Sequence, residues 1–103
     1  MTMQTRTLGP IDVKPGEMKA VDVDGRRIAV ANVGGRLYAF DDACTHEQCS
    51  LVDDGLLEDA IVTCGCHGAQ FDVTTGKVVA PPAPRPVTSY PIQIRDGQVT
   101  IEI

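Results

Sequence analysis

Met18-Lys19-Ala20-Val21-Asp22-Val23, then Asp24-Gly25, then Arg27-Ile28-Ala29-Val30-Ala31-Asn32-Val33, then Gly34-Gly35 and Leu37-Tyr38-Ala39-Phe40, reads as a three-stranded antiparallel meander. The first run alternates apolar and polar side chains. The second is rich in β-branched and small apolar residues. Asp-Gly and Gly-Gly supply the positive φ angles that tight hairpin turns demand. Downstream, Ala60-Ile61-Val62-Thr63-Cys64 is another β-branched run. Gln70-Phe71-Asp72-Val73 and Lys77-Val78-Val79 flank Thr74-Thr75-Gly76, a further hairpin. Ser89-Tyr90-Pro91-Ile92-Gln93-Ile94 and Gln98-Val99-Thr100-Ile101-Glu102-Ile103 flank Arg95-Asp96-Gly97, and the last strand puts Val99, Ile101 and Ile103 on one face. No window holds a 3.6-residue period over a helical length; residues 47–57 have room for one short helical turn. Many short strands with Gly-bearing turns predict an all-β fold, an antiparallel sandwich or barrel.

The chain has 103 residues, the size of one domain spanning 1–103. Its hydrophobic fraction is 43%, but aromatic residues make up only 4% and Trp is absent, so the core must come from Val, Ile, Leu and Ala. A core that small gains from a metal or a cross-link. A net charge of −5 argues against nucleic acid or an anionic membrane as partner. There is no apolar run of about 18 residues to cross a bilayer, and Met1-Thr2-Met3-Gln4-Thr5-Arg6 lacks the apolar stretch of a secretory signal. A soluble, cytoplasmic protein is expected.

The chemistry concentrates in two segments, Cys44-Thr45-His46 and Cys64-Gly65-Cys66-His67. All four Cys and both His of the chain fall within residues 44–67, which makes chance core cysteines an improbable account. A thiolate is a soft anionic ligand and an imidazole a neutral nitrogen ligand, so one of each from two loops builds a site for a metal centre that accepts both. A structural zinc ion is one reading, but zinc fingers group Cys with Cys and His with His along the chain, whereas each segment here carries both.

The two-loop pattern, Cys-x-His and then Cys-x-x-His after seventeen intervening residues, closely resembles that of the Rieske iron–sulfur proteins. The likeness extends to Asp41-Asp42-Ala43, Gly68, Phe71-Asp72, Thr75-Gly76 and the Pro-rich stretch 80–86. It implies a Rieske-type antiparallel β-sandwich with a small cluster-binding subdomain of two ligand loops, over about residues 41–86. It implies one [2Fe–2S] cluster per chain, with Cys44 and Cys64 on the inner iron and His46 and His67 on the outer iron. Neutral imidazoles in place of two thiolates make such centres easier to reduce, roughly −150 to +300 mV against about −400 mV for all-Cys plant-type ferredoxins. The resemblance also bears on Cys49 and Cys66, which occupy the places of two extra cysteines that form a loop-bridging disulfide in respiratory Rieske proteins. A Cys49–Cys66 disulfide is the reading it implies; two small buried thiols are the alternative.

High-potential Rieske proteins place a Ser two residues after the second ligand His and a Tyr two further on, whose hydroxyls stabilise the reduced cluster. This chain has Ala69 and Phe71 there, neither able to donate. A potential near the bottom of the Rieske range follows. Reduction should make the ligand imidazoles more basic, so the potential should fall as pH rises through their ionisation.

Residues 37–76 contain no Lys or Arg but eight acids, Asp41, Asp42, Glu47, Asp53, Asp54, Glu58, Asp59 and Asp72. They read either as a solvated face or as an anionic collar that steers a basic partner. The Pro-rich stretch reads either as a stiff linker or as a lid over the metal centre. No nucleophile–base pair or phosphate-binding loop stands out, so no catalytic role is expected. The resemblance implies a Rieske-type ferredoxin of a multicomponent aromatic-ring dioxygenase, a monomeric one-electron carrier between a flavoprotein reductase and a terminal oxygenase. A redox small subunit of another complex, nitrite-reductase-like or of an oxidase, and a zinc-stabilised binding module are the alternatives.

Overall fold

The computed structural model describes residues 4–43, 49–66, 68–80 and 86–103. These form β1 (Thr5–Gly9), β2 (Met18–Val23), β3 (Arg26–Val33), β4 (Arg36–Asp41), α1 (Leu51–Asp54), β5 (Leu56–Glu58), β6 (Ile61–Thr63), β7 (Gln70–Asp72), β8 (Val78–Ala80), β9 (Ser89–Tyr90), β10 (Ile92–Arg95) and β11 (Gln98–Glu102). The strands make three antiparallel sheets, ordered β1-β11-β10, β2-β3-β4-β9 and β5-β6-β7-β8. No helix of the described residues is long and apolar enough to cross a membrane.

The meander forms as its sequence dictates, with β2 paired to β3 and β3 to β4. Asp24 and Gly25 both take positive φ, 52° and 83°, and Asp96 and Gly97 repeat this at 50° and 77°, the geometry of two-residue hairpin turns. Strand β3 is the centre of the molecule. Its residues Ile28 to Asn32 are buried without interruption, because the middle sheet is covered on both faces. Ile28 and Val30 pack with Val99 and Ile101 of β11 on one side. Ala29 and Ala31 turn the other way, onto Leu57, Val62 and Phe71 of the third sheet. The small alanines give the third sheet room to approach, and Phe40 and Phe71, both fully buried, fill the space between. The product is three stacked layers.

Two expectations need correction. Residues 89–94 are not one strand. The chain breaks at Pro91, which lacks the N–H a ladder needs. Tyr90 pairs with Ala39 in the middle sheet, while Ile92 pairs with Ile101 in the first, so the segment crosses between layers. The sequence reading also lacked β1 and β5, which carry no clean alternation. Each is held by its partner strand, β1 with a register shift between Thr7 and Gly9.

Candidate metal centre

The two loops that carry the Cys and His segments leave neighbouring elements and are fixed at their bases by the backbone. The first runs from β4 to α1. Ala43 bridges Ser50 in antiparallel fashion, and the Leu51 N–H donates to the Asp42 carbonyl over 2.8 Å. Ser50 starts α1 as its N-cap, its hydroxyl accepting from the Asp53 N–H at 2.9 Å. Asp42, only 2% exposed, fastens the loop from below. One carboxylate oxygen accepts from the Val52 N–H at 2.9 Å and the other from Arg27 Nε at 2.9 Å. The same guanidinium reaches Asp53 over 2.8 Å. Strand β3, the loop base and α1 are thus joined through one arginine.

The second loop joins β6 to β7. The Cys64 N–H donates to the Ala69 carbonyl at 2.7 Å and the Gly68 N–H to the Cys64 carbonyl at 2.9 Å, closing the loop tightly. A side chain at Gly65 would overlap the backbone carbonyl oxygen of Asp54, so this loop lies directly on the end of α1 and position 65 has no room for a Cβ. Gly65 is the residue that lets the loops meet.

They are also joined covalently, because Cys49 and Cys66 form a disulfide. Of the remaining cysteines, Cys64 is a free thiol, 2% exposed, within the apolar cluster that includes Leu57, Val62, Ala69 and Phe71. The sulfurs of Cys49, Cys64 and Cys66 all lie within 4.8 Å of one another. Cys44, His46 and His67 lie outside the described residues, as do Glu47 and residues 81–85 of the Pro-rich stretch, so the lid reading falls there too. Ala69 and Phe71 are both fully buried.

Several acids of the 37–76 stretch are engaged within the fold. Asp42 and Asp53 hold Arg27. Asp72 accepts from the Thr74 N–H and hydroxyl. Asp41 accepts a 2.6 Å hydrogen bond from the Tyr90 hydroxyl, which itself accepts one from Arg26. Burial raises the Tyr90 phenol above its ordinary value, the bond to Asp41 adds to this, and Arg26 opposes it. Asp54, Glu58 and Asp59 are exposed on the α1–β5 side of the molecule. The supporting roles of Arg27, Asp42 and Gly65 escaped the sequence reading, which named Asp42 only among the acids and in the family likeness and Gly65 only within the second segment. Their one legible trace was Ser50 three residues before Asp53, a helix-start signature.

The chain matches the Rieske [2Fe-2S] domain over residues 6–91. It is 38% identical over 98 residues to the biphenyl dioxygenase ferredoxin subunit of Pseudomonas sp. (strain KKS102), spanning 95% of this chain and 90% of that one. The solved Sphingomonas yanoikuyae B1 ferredoxin superposes with a TM-score of 0.86 at 36% identity, covering 95% of this chain and 99% of that one. A chain in the complex of reduced oxygenase and oxidized ferredoxin in carbazole 1,9a-dioxygenase gives 0.86 at 30% identity, over 94% and 91% of the two chains. With two loops tied by a disulfide beside a buried thiol, and with this match over residues 6–91, the chain belongs to the Rieske [2Fe–2S] domain family.

Proposed function

We propose that Cys44, His46, Cys64 and His67 hold the Rieske cluster, and that residues 41–86 form the cluster-binding part of a single 1–103 domain. The observation that carries this is the Cys49–Cys66 disulfide. It removes two of the four sulfurs from the ligand pool, leaving one thiol for each loop, Cys44 and Cys64, beside the only two histidines. That donor set, two thiolates and two imidazoles, fits the divided ligation of a Rieske centre. The cluster supplies reversible one-electron chemistry. The chain's own residues supply the rest. Cys64 offers a thiolate in apolar surroundings at the loop base. The disulfide and the Gly65 contact hold the loops together, and Asp42 with Arg27 anchors the first loop to β3. Ala69 and Phe71 give no hydroxyl to the centre, which keeps the potential near the low end of the Rieske range.

In this reading the chain is a cytoplasmic electron-transfer component without catalytic residues, working as a monomer. It takes an electron from a flavoprotein reductase and passes it to the terminal oxygenase of an aromatic-ring dioxygenase. Support comes from relatives named as dioxygenase ferredoxin subunits and from a related ferredoxin solved with its oxygenase. The exposed Asp54, Glu58 and Asp59 would favour a basic docking face on either partner. The test is reconstitution with a reductase and terminal oxygenase from the same genome, alongside a redox titration. Product formation that depends on the chain, with a one-electron wave below about 0 mV, supports the reading. A wave well above zero, or turnover unaffected by omitting the chain, overturns it.

A further inference from the structure

The Cys64 sulfur lies within 4.8 Å of both sulfurs of the Cys49–Cys66 disulfide. A zinc-class ion bonded to three thiolates at about 2.3 Å sets the sulfurs about 3.8 Å apart, so Cys64 needs to close on either partner by no more than about 1 Å, while the two disulfide sulfurs, bonded to each other now, part to that spacing once reduced. Cys64 and Cys66 flank one residue of a tight loop, and Cys49 faces them from the other loop. In the chain without its cluster, the disulfide keeps the three from acting together. That bond is within reach of a reductant, because Cys66 is exposed and Cys49 is half-buried, while Cys64 is buried beneath them.

We propose that Cys49, Cys64 and Cys66 form a latent site for a soft d10 ion of the zinc, cadmium or cuprous class, switched on when the disulfide is reduced. A dithiol reductant breaks the Cys49–Cys66 bond and becomes a disulfide itself. Its two electrons and two protons leave two thiols on this chain. The ion then takes the three sulfurs, releasing their protons to solvent. Soft thiolate sets select such ions over harder ones. Cys64 belongs to both the latent site and the cluster ligand set proposed above, so the two compete for it. The disulfide therefore does more than tie two loops, because it keeps two strong competing ligands away from the iron. In a reducing compartment, the disulfide state would decide whether the chain is loaded with the cluster or diverted to a soft ion.

The experiment uses the full chain with Cys44→Ser, which leaves only the trio as cysteines and so separates this site from the cluster ligands. Metal-free protein, with the disulfide intact or reduced and freed of reductant under anaerobic conditions, is titrated with Cd2+ and followed by the ultraviolet thiolate-to-cadmium band. The reduced chain should bind one Cd2+ with the amplitude of three thiolates, at least tenfold more tightly than the same chain unfolded in urea. With the disulfide intact the amplitude should drop to one-third or less. Adding Cys64→Ser to the reduced chain should remove a third of the band and weaken binding at least tenfold. Binding no tighter than that of the unfolded chain, or indifferent to Cys64, overturns the proposal. A second reading needs no substitution. In the reduced, unaltered chain, Cd2+ should shield Cys49, Cys64 and Cys66 from iodoacetamide in peptide mapping, and equal labelling of Cys49 and Cys66 with and without Cd2+ overturns it as well.

Discussion

Replacing Asp42 by Ala tests how the fold holds the first ligand loop. The carboxylate is almost fully buried and accepts two hydrogen bonds of 2.9 Å, from the Val52 N–H and from Arg27 Nε. A buried hydrogen bond to a charged group is worth about 1.5–3 kcal/mol, and the first of these also satisfies an N–H in the opening turn of α1. The second contributes less, about 0.5–1 kcal/mol, because the Arg27 side chain is 48% exposed and keeps Asp53 as a partner. The expected loss for Asp42→Ala is therefore about 2–4 kcal/mol, a fall in Tm of roughly 10–25 °C for a domain of this size. Asp42→Asn keeps an acceptor for Val52 and loses the charge, so about 1 kcal/mol is expected. Thermal unfolding of the holoprotein, followed by far-ultraviolet circular dichroism and by the visible cluster absorption, reads both. The cluster signal should be lost at or below the temperature of the global transition in Asp42→Ala, because the loop base opens first. A loss under about 0.5 kcal/mol for Ala, or equal losses for Ala and Asn, would refute the reasoning.

Three further outcomes follow from named contacts. Gly65→Ala drives a Cβ into the Asp54 carbonyl, and should cost about 1–3 kcal/mol and lower the iron content of the purified chain; unchanged stability and iron content would count against the close packing of the second loop on α1. Ala69→Ser or Phe71→Tyr adds a hydroxyl at a buried position, and each should raise the reduction potential by about 60 mV, the equivalent of about 1.4 kcal/mol for one electron; a flat or falling potential in a redox titration would contradict the assignment of the low potential to these two residues. The folded-state pKa of Tyr90 lies above its ordinary value of 10.0, so the proton is held more tightly in the folded chain. Its contribution to stability is complete below about pH 10 and is lost as pH rises through the higher folded value, and Tyr90→Phe should remove that alkaline fall in urea-unfolding midpoints.

The hairpins were legible because their turns are written in single dipeptides. Asp24-Gly25 and Asp96-Gly97 need the φ that their residues favour, and nothing distant alters this. The layering was not legible. An uninterrupted run at 28–32 says that β3 is buried on both faces, but which sheet covers which face depends on pairings far along the chain. The break at Pro91 could have been anticipated from its missing N–H, yet the change of sheet could not. For the metal centre, residue types and spacing gave the two Cys- and His-bearing segments, and the resemblance gave the four proposed ligands and the Cys49–Cys66 pairing. The supports were hidden because Arg27 and Asp42 become neighbours only once the β3–β4 register is known, with Ile28 opposite Asp41. Gly65 looked like a spacer between two cysteines until its contact with α1 gave it a steric reason.

The most direct measurement is the iron and acid-labile sulfide content of the purified chain, combined with electron paramagnetic resonance of its reduced form. The expected result is two irons and two sulfides per chain, a signal with average g below 2, and couplings to two imidazole nitrogens that disappear in His46→Ala and His67→Ala. A colourless chain holding a single zinc ion, or a two-iron cluster without nitrogen couplings, would contradict the Cys44, His46, Cys64 and His67 assignment.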